Sequence, residues 1–267
     1  MTYSYYYLFL LFSLSGVIVS IIGLISGDRF KSMPFVFSNV LYMAASFTAV
    51  LYSVISFMER GNLLNLSFRI GRFFPAGRII LKFDPLSDFF ILFIFSVFFY
   101  IALYQIKYIE KIGSEINTPL FSFLFGIMLI SVYYVIISFN GFMFMIFWEI
   151  MAVSSYFLVM TKHYIKGTKR AAFLMAVIME IGAMLIIIGL IILYLHANSF
   201  NFETLKSLTI PAYVKEIVFL LFLFGFGILS KTFKNTSFIR SVKVPVASKT
   251  SANLGLGVIN IPNLCIL

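Results

Sequence analysis

Two glutamates stand inside long apolar stretches of this sequence, where charged side chains are rare. Glu149 lies in FMFMIFWEIMAVSSYFLVM, residues 142–160, and Glu180 lies in the apolar stretch that begins at Ala171. A charge near the centre of a membrane helix costs roughly 2.5–3.5 kcal/mol, so such residues tend to be paired, protonated or functional. A carboxyl at this depth could bind and release a proton as a cation approached or withdrew, which is the chemistry of a proton relay.

The two glutamates are predicted to lie at the same depth on consecutive antiparallel helices. Glu149 is about 17 Å from the helix end at Met160, and Glu180 is about 14 Å from the helix end at Ala171, at 1.5 Å per residue. A second interpretation stays open. Each glutamate could remain protonated and only hydrogen-bond a neighbour, such as Tyr156 or a serine on another helix.

The composition indicates that these stretches cross a membrane. Of the 267 residues, 61% are hydrophobic, 19% are aromatic and 11% are charged, whereas a soluble domain carries about a quarter charged residues. A hydrocarbon core of about 30 Å takes roughly 20 helical residues. We therefore predict an all-α, multi-pass membrane protein with about seven spans, near Tyr5–Ile25, Phe35–Phe57, Phe89–Ile109, Thr118–Ser138, Phe142–Met160, Ala171–His196 and Glu216–Ser230.

The connection from Met58 to Asp88 is the one long loop. Its apolar flanks surround Pro75-Ala76-Gly77, a pattern that predicts a small hairpin on the membrane surface. Asp84 followed by Pro85 is typical of a helix cap and a first-turn proline, so the third span is expected to begin there.

The lysines and arginines predict the orientation. No basic residue precedes the first span, and Arg29 and Lys31 follow it, which favours an external N-terminus without a cleaved signal peptide. With seven spans, 13 of the 20 basic residues would face the cytoplasm, and the hairpin would place five outside. The net charge of +10 is therefore interpreted as membrane topology and lipid headgroup contact, not nucleic-acid binding.

Several chemistries have too few side chains to support them. Cys265 is the single cysteine, and His163 and His196 are the two histidines, so zinc, iron–sulfur and haem sites lack ligands. No glycine-rich phosphate loop is present. We expect no cofactor, metal or catalytic residue on this chain, and any redox chemistry would take place on another subunit.

Two segments resemble a known family. FDPLSDFFILFIFSVFFYIALYQIKYI, followed by FWEIMAVSSYFLVM, is similar to the antiporter-like proton-translocating subunits of respiratory complex I and its relatives. The similarity is strongest to the large membrane subunit of hydrogenase-4 and formate hydrogenlyase. Trp148-Glu149 with the continuation SSYFL is the most specific part, and the resemblance covers roughly residues 80–228. It implies inverted five-helix repeats, of which this chain would hold the entry helices and most of the first repeat.

The resemblance also assigns roles to single positions. Glu149 matches the family's fifth-helix glutamate, which pairs with a lysine on the seventh helix. Glu180 stands before Gly182 where the family carries His, Gln or Arg. The family's lysine position is Leu229 here, and the nearest lysine, Lys231, is turned by about 200° on a helix. The proton-translocation candidates are therefore Glu149, Glu180 and Lys231.

The likeness ends near residue 229, and the tail has no apolar run of spanning length. We therefore divide the chain into a partial antiporter-like membrane region, 1–230, and a basic, divergent, poorly ordered tail, 231–267. An interrupted reading frame and a naturally short subunit both account for such a tail.

The predicted function is proton translocation in a membrane subunit of a complex I-like or hydrogenase-4-type oxidoreductase. Its partners would be other membrane and redox subunits and the lipid bilayer, and its location the inner or plasma membrane. Two alternatives stay open: a subunit of a multisubunit cation/proton antiporter, and an inactive membrane fragment.

Overall fold

The described part of the protein consists of eight helices and one β-hairpin. The computed structural model describes residues 2–26, 32–58, 65–69, 78–112, 116–164 and 167–234. In chain order the elements are α1 (Thr2–Ile25), α2 (Ser32–Met58), β1 (Asn65–Arg69), β2 (Arg78–Lys82), α3 (Pro85–Ile112), α4 (Thr118–Ile137), α5 (Gly141–Met160), α6 (Thr168–Ala197), α7 (Phe202–Lys206) and α8 (Ala212–Lys234).

The all-α, multi-pass prediction is confirmed. Within the described ranges, six helices, α1 to α6, are long and apolar enough to cross a membrane. Helices are favoured in these runs because the hydrocarbon core offers no water to backbone N–H and C=O groups, so each span must satisfy them internally. The predicted seventh span, Glu216–Ser230, falls within α8, and its crossing of the membrane stays a prediction.

The predicted hairpin is also present. Strands β1 and β2 pair antiparallel, with Asn65 opposite Lys82 and Arg69 opposite Arg78. The predicted turn at Pro75-Ala76-Gly77 lies outside the described residues.

The structure confirms that Asp84 caps the start of α3. The backbone N–H of Ser87 donates to the Asp84 carboxylate at 2.8 Å, and α3 begins at Pro85. The helix therefore starts before the predicted span at Phe89, because the capped first turn precedes the continuous apolar run.

Helices α1 to α4 form one unit around an aromatic core. Tyr133 on α4 stacks on Phe9 of α1 with ring centroids 3.9 Å apart, and Phe95 of α3 meets both rings edge-on at 5.5 Å. Offset and edge-to-face contacts add about 0.5–1.5 kcal/mol per pair beyond the area they bury. Because hydrophobic burial drives little helix association in lipid, such specific packing holds the unit together.

Tyr42 of α2 depends on two glycines of neighbouring helices. A side-chain carbon at Gly16 of α1 would lie 2.5 Å from the Tyr42 ring, and one at Gly126 of α4 would also collide with it. The absence of side chains at these two positions lets the fully buried Tyr42 enter the centre of the unit.

Helices α5, α6 and α8 form a second group, in which α6 packs against both α5 and α8. Backbone hydrogen bonds at one end join this group to the hairpin. Phe139, just before α5, donates its N–H to Ile80 of β2 at 3.0 Å and accepts from the N–H of Phe202 at 3.2 Å. The short α7, which the sequence did not predict, is thereby held beside the start of α5.

The end of the chain leaves one prediction open. The backbone of α8 continues to Lys234, and residues 235–267 lie outside the described part. The proposed division into a membrane region and a poorly ordered tail therefore stays a prediction.

Candidate proton-translocation site

The start of α5 fixes the position of Glu149. Asn140 is fully buried, and its side-chain oxygen accepts from the N–H groups of Phe142 at 2.9 Å and Met143 at 3.4 Å. The N–H of Gly141 donates to the carbonyl of Phe200 at 2.9 Å. Asn, Asp and Ser are favoured at this position because they satisfy amides that have no intrahelical partner. A helix fixed in this way carries Glu149 two turns inside its span.

Glu180 reaches the same level from the other direction. After α5 ends at Met160, the chain turns through Gly167, which has a left-handed backbone with φ of 95°, and α6 begins at Thr168. Glycine adopts this conformation without a steric penalty. The antiparallel return of α6 places Glu180 opposite Glu149.

The structure brings the two carboxyl groups together. The Glu149 side chain lies close enough to that of Glu180 for the two to interact electrostatically. The Oε1 atom of Glu149 is itself buried and has no hydrogen-bond partner among the described residues. Glu149 is half-buried, whereas Glu180 lies on the exposed surface of α6. Two carboxylates at this range repel each other, so the pair is suited to hold one proton between them.

The surroundings of Glu149 are apolar and aromatic. Trp148 contacts Phe144 on α5 with ring centroids 5.5 Å apart and meets Phe226 of α8 edge-on at 6.4 Å. Its indole N–H is buried and has no hydrogen-bond partner in the described part of the chain. The adjacent core is built from Met145, Met175, Met179, Ala183, Ile186 and Leu190.

Among the described residues, Glu149 has no hydrogen bond to either partner that the sequence suggested, Tyr156 or a serine on another helix. The polar side chains that follow Glu149 on α5 contact groups of that same helix. The hydroxyls of Ser154 and Ser155 donate to backbone carbonyls of their own helix, those of Ile150 and Ala152. Tyr156 contacts the ring of Phe157. Within the described residues, the side chain that meets Glu149 is therefore Glu180.

The structure places the backbone of the third candidate, Lys231, on α8, but its side chain lies outside the described part. The face that α8 turns toward α6 is set by Gly225, where an added side-chain carbon would lie 2.7 Å from Ile186 and 3.0 Å from the carbonyl of Gly182. Position 229 lies one turn beyond Gly225 on the same helical row, and position 231 lies about 200° around from 229. This geometry is consistent with the predicted misdirection of Lys231, which stays a prediction.

Sequence reasoning missed a further buried carboxyl. Asp88, in the first turn of α3, is 2% exposed and lies beside Tyr52, which is also 2% exposed. In the sequence, Asp88 follows the helix-capping Asp84 by four residues. A carboxylate in the first turn of a helix more often faces solvent, so this position gave no indication that Asp88 is buried. Its burial depends on contacts with other helices that no local pattern shows.

Comparisons with known proteins extend these observations. Residues 138–237, which include α5, α6 and α8, match the family model described as "NADH:quinone oxidoreductase/Mrp antiporter, TM". The chain is 28% identical over 161 residues to hydrogenase-4 component B of Escherichia coli (strain K12), covering 59% of this chain and 24% of that protein. It thus spans about a quarter of the length of that relative.

A solved structure shows the same fold. A chain of the membrane-bound sulfane sulfur reductase, an archaeal respiratory membrane complex, matches with a TM-score of 0.63 and 22% identity, over 82% of this chain and 43% of that chain. Together with the family match, this confirms the resemblance, seen in the sequence, to antiporter-like membrane subunits of the complex I and hydrogenase type.

Proposed function

We propose that this chain translocates protons as a membrane subunit of a complex I-like or hydrogenase-4-type oxidoreductase, with electron transfer on other subunits. The observation that carries the proposal is the contact between Glu149 and Glu180, two acids on facing helices deep within predicted spans. Ionisable groups inside a membrane are costly, so their pairing there favours a role in ion movement. The protein would reside in the inner or plasma membrane.

The pair offers a specific relay. One proton shared between two carboxyl groups can leave when a cation approaches and return when it withdraws, because the cation removes the cost of the second negative charge. Glu180 is exposed on the outer face of α6. The proton would therefore pass between Glu149, in the interior, and the partner subunit that covers this face of α6. Lys231 is proposed as a lesser contributor.

A second candidate function is that of a multisubunit cation/proton antiporter subunit, because the matching family model includes Mrp antiporters. The two candidates differ in their partners. The tagged chain would be purified from its native membrane in mild detergent and its partners identified by mass spectrometry. Redox subunits with iron–sulfur clusters support the oxidoreductase assignment, whereas a complex of membrane subunits alone that exchanges sodium for protons supports the antiporter.

The proton-translocation role is tested by Glu149→Gln, which keeps the size and hydrogen-bonding capacity but removes the charge. We expect reduced proton movement into vesicles, with unchanged membrane insertion. Glu203→Gln is the matched control, because Glu203 lies on the short α7, outside the spans. Normal proton movement in the Glu149→Gln variant would contradict the proposal.

A further inference from the structure

Asp88 and its neighbours make a second buried polar site, in the α1–α4 unit and separate from the glutamate pair. Ser56 donates a hydrogen bond to Asp88 Oδ2, and Ser53 donates to the Asp88 backbone carbonyl. The other carboxyl oxygen, Oδ1, is buried and has no partner among the described residues. The nearby Tyr52 hydroxyl is also buried; it lies close to Ser56 and Asp88 but makes no hydrogen bond of normal geometry among the described residues.

Among the side chains that the structure describes, no cation compensates this carboxyl. The titratable groups that face it from the surrounding elements are Tyr52 on α2, Tyr133 on α4 and Asp84 before α3, and within the described residues none of these is basic. Moving a carboxylate without a cationic partner out of water is costly. The position of Asp88 near the N-terminus of α3 offsets part of that cost, because the helix dipole favours a negative charge there. The site therefore needs something that its own side chains do not supply.

A row of hydroxyls leads from this site through the α1–α4 unit. The hydroxyl stripe of α2 comprises residues three, four or seven apart, all buried on one helix face: Ser38, Tyr42, Ser46, Ser53 and Ser56. It extends for about 27 Å at 1.5 Å per residue, close to the thickness of a hydrocarbon core. At the end remote from Asp88, it continues into a chain of hydroxyl contacts from Ser38 to Ser122 at 2.6 Å, from Ser122 to Ser20 at 3.2 Å and from Ser20 to Tyr42 at 3.2 Å.

The middle of the stripe also contains an unsatisfied group. The hydroxyl of Ser46 is buried with no hydrogen-bond partner in the described part of the chain, although serines in helices commonly bond a carbonyl of the preceding turn. Buried polar atoms without protein partners are the positions that ordered water occupies, on the order of one water per 27 residues. Ser46 and Tyr52 on α2 and Asp88 Oδ1 on α3 are thus three buried polar atoms of the kind that ordered water satisfies.

We propose that Asp88 and Tyr52 form a second proton-binding site, which is reached through buried water along the hydroxyl stripe of α2. In the exchange step a hydronium ion on this water transfers a proton to Asp88 Oδ1. An O–H bond of the hydronium breaks as the carboxyl O–H bond forms, and neutral water remains. The remaining water then bridges the protonated carboxyl and the Tyr52 hydroxyl, and it accepts the proton again when the carboxyl releases it.

The test uses infrared difference spectroscopy of the full chain in liposomes across a pH titration. We expect a C=O stretching band of a protonated carboxyl that is lost in Asp88→Asn and shifted in frequency in Tyr52→Phe, which removes one hydroxyl. Asp84→Asn is the matched control, since Asp84 is a carboxylate at the same end whose capping role asparagine can take over, and this variant should keep the band. The Glu149→Gln, Glu180→Gln double variant should also keep it, which separates this site from the proposed glutamate relay.

Access through the stripe is tested by deuterium exchange of the same band. Ser46→Ala should slow the exchange several-fold, whereas Ser13→Ala, which alters a buried serine of α1 bonded to the Leu10 carbonyl, should not. A wild-type spectrum without a protonated band, or a band that neither Asp88→Asn nor Tyr52→Phe changes, would show that Asp88 is a fixed carboxylate held by Ser56 and the helix dipole. Equal exchange rates in the two serine variants would overturn the proposed path.

Discussion

At the scale of single residues, the contact between Glu149 and Glu180 replaces an arrangement that the family resemblance implies. The resemblance pairs the Glu149 position with a lysine at position 229, which is Leu229 here. An acid at position 180 gives Glu149 a partner of the same sign, and in the proposed relay a shared proton takes the place of the positive charge.

A shared proton predicts non-additive variants. Glu149→Gln and Glu180→Gln should each lower proton movement. The double variant should lower it no further, because either single substitution already removes one of the two carboxyl groups that share the proton. Contacting residues typically show interaction energies of about 0.5–3 kcal/mol in such cycles. Proton flux into vesicles measures the effect at equal protein content. Independent, multiplying losses would indicate that the two carboxyls act separately.

Counting along the sequence predicted that these two residues share a depth, because helical rise is nearly constant. It did not predict that Glu180 would lie on the exposed side of α6, or that Asp88 would be buried. Both depend on which helices become neighbours. A membrane helix carries apolar residues on its lipid-facing side as well as on its packed side, so the sequence does not distinguish the two. The composition of a membrane helix therefore does not predict which of its side chains are buried.

At the scale of elements, the packing of α6 on α8 rests on a close approach of two backbones. A side-chain carbon at Gly225 would lie 3.0 Å from the Gly182 carbonyl, and small residues permit such approaches between membrane helices. At Gly227 the same carbon would have no atom within 4 Å.

This difference predicts opposite effects for two chemically identical substitutions. Gly225→Ala should lower the thermal stability by an overpacking cost of about 1–3 kcal/mol, whereas Gly227→Ala should leave it unchanged or raise it through helix propensity. Trp148, the single tryptophan, contacts Phe226, so its fluorescence in detergent follows α8 directly. Equal melting of the two variants would show that α6 and α8 do not approach as closely as described.

The start of α5 gives a second element-scale prediction. Asn140→Ala should destabilise the protein by about 0.5–2 kcal/mol, the usual cost of losing an N-cap, because the Phe142 and Met143 amides lose their acceptor. Asn201→Ala is the control, since it caps only the five-residue α7. Hydrogen exchange should accelerate at Phe142 and Met143 in the first variant alone. Unchanged protection at these amides would mean that the backbone hydrogen bonds of Phe139 and Gly141 are sufficient to hold the start of α5 without the Asn140 cap.

The element boundaries show what local patterns can predict. The hairpin and the start of α3 followed from turn residues and a capping aspartate, whose effects act within a few residues. The short α7 did not, because five residues carry no recognisable period and its position depends on the backbone of Phe139.

At the scale of the whole molecule, the α1–α4 unit and the α5, α6, α8 group differ in how their polar groups are placed. The first unit encloses its hydroxyls and Asp88, while the second presents Glu180 on its surface. The family model match begins directly after α4 and covers the second group, and the fold similarity extends over 82% of the chain. An exposed glutamate in a span favours coverage by a partner subunit, as the proposed function requires.

The orientation of the molecule yields the last prediction. Lys162 and Lys166 lie between α5 and α6, and Lys169 and Arg170 lie in the first turn of α6. Basic residues close to the ends of spans favour the cytoplasmic side. A reporter fused after Arg170 should therefore be cytoplasmic, and one fused after Phe200 should be external, as judged by an enzyme that is active on one side only. Replacing the four basic residues by glutamine should weaken the preference for this orientation. Replacing Lys206 and Lys215, which follow the other end of α6, should strengthen it. The reverse labelling in the unmodified chain would overturn the topology and, with it, the side from which protons reach Glu149.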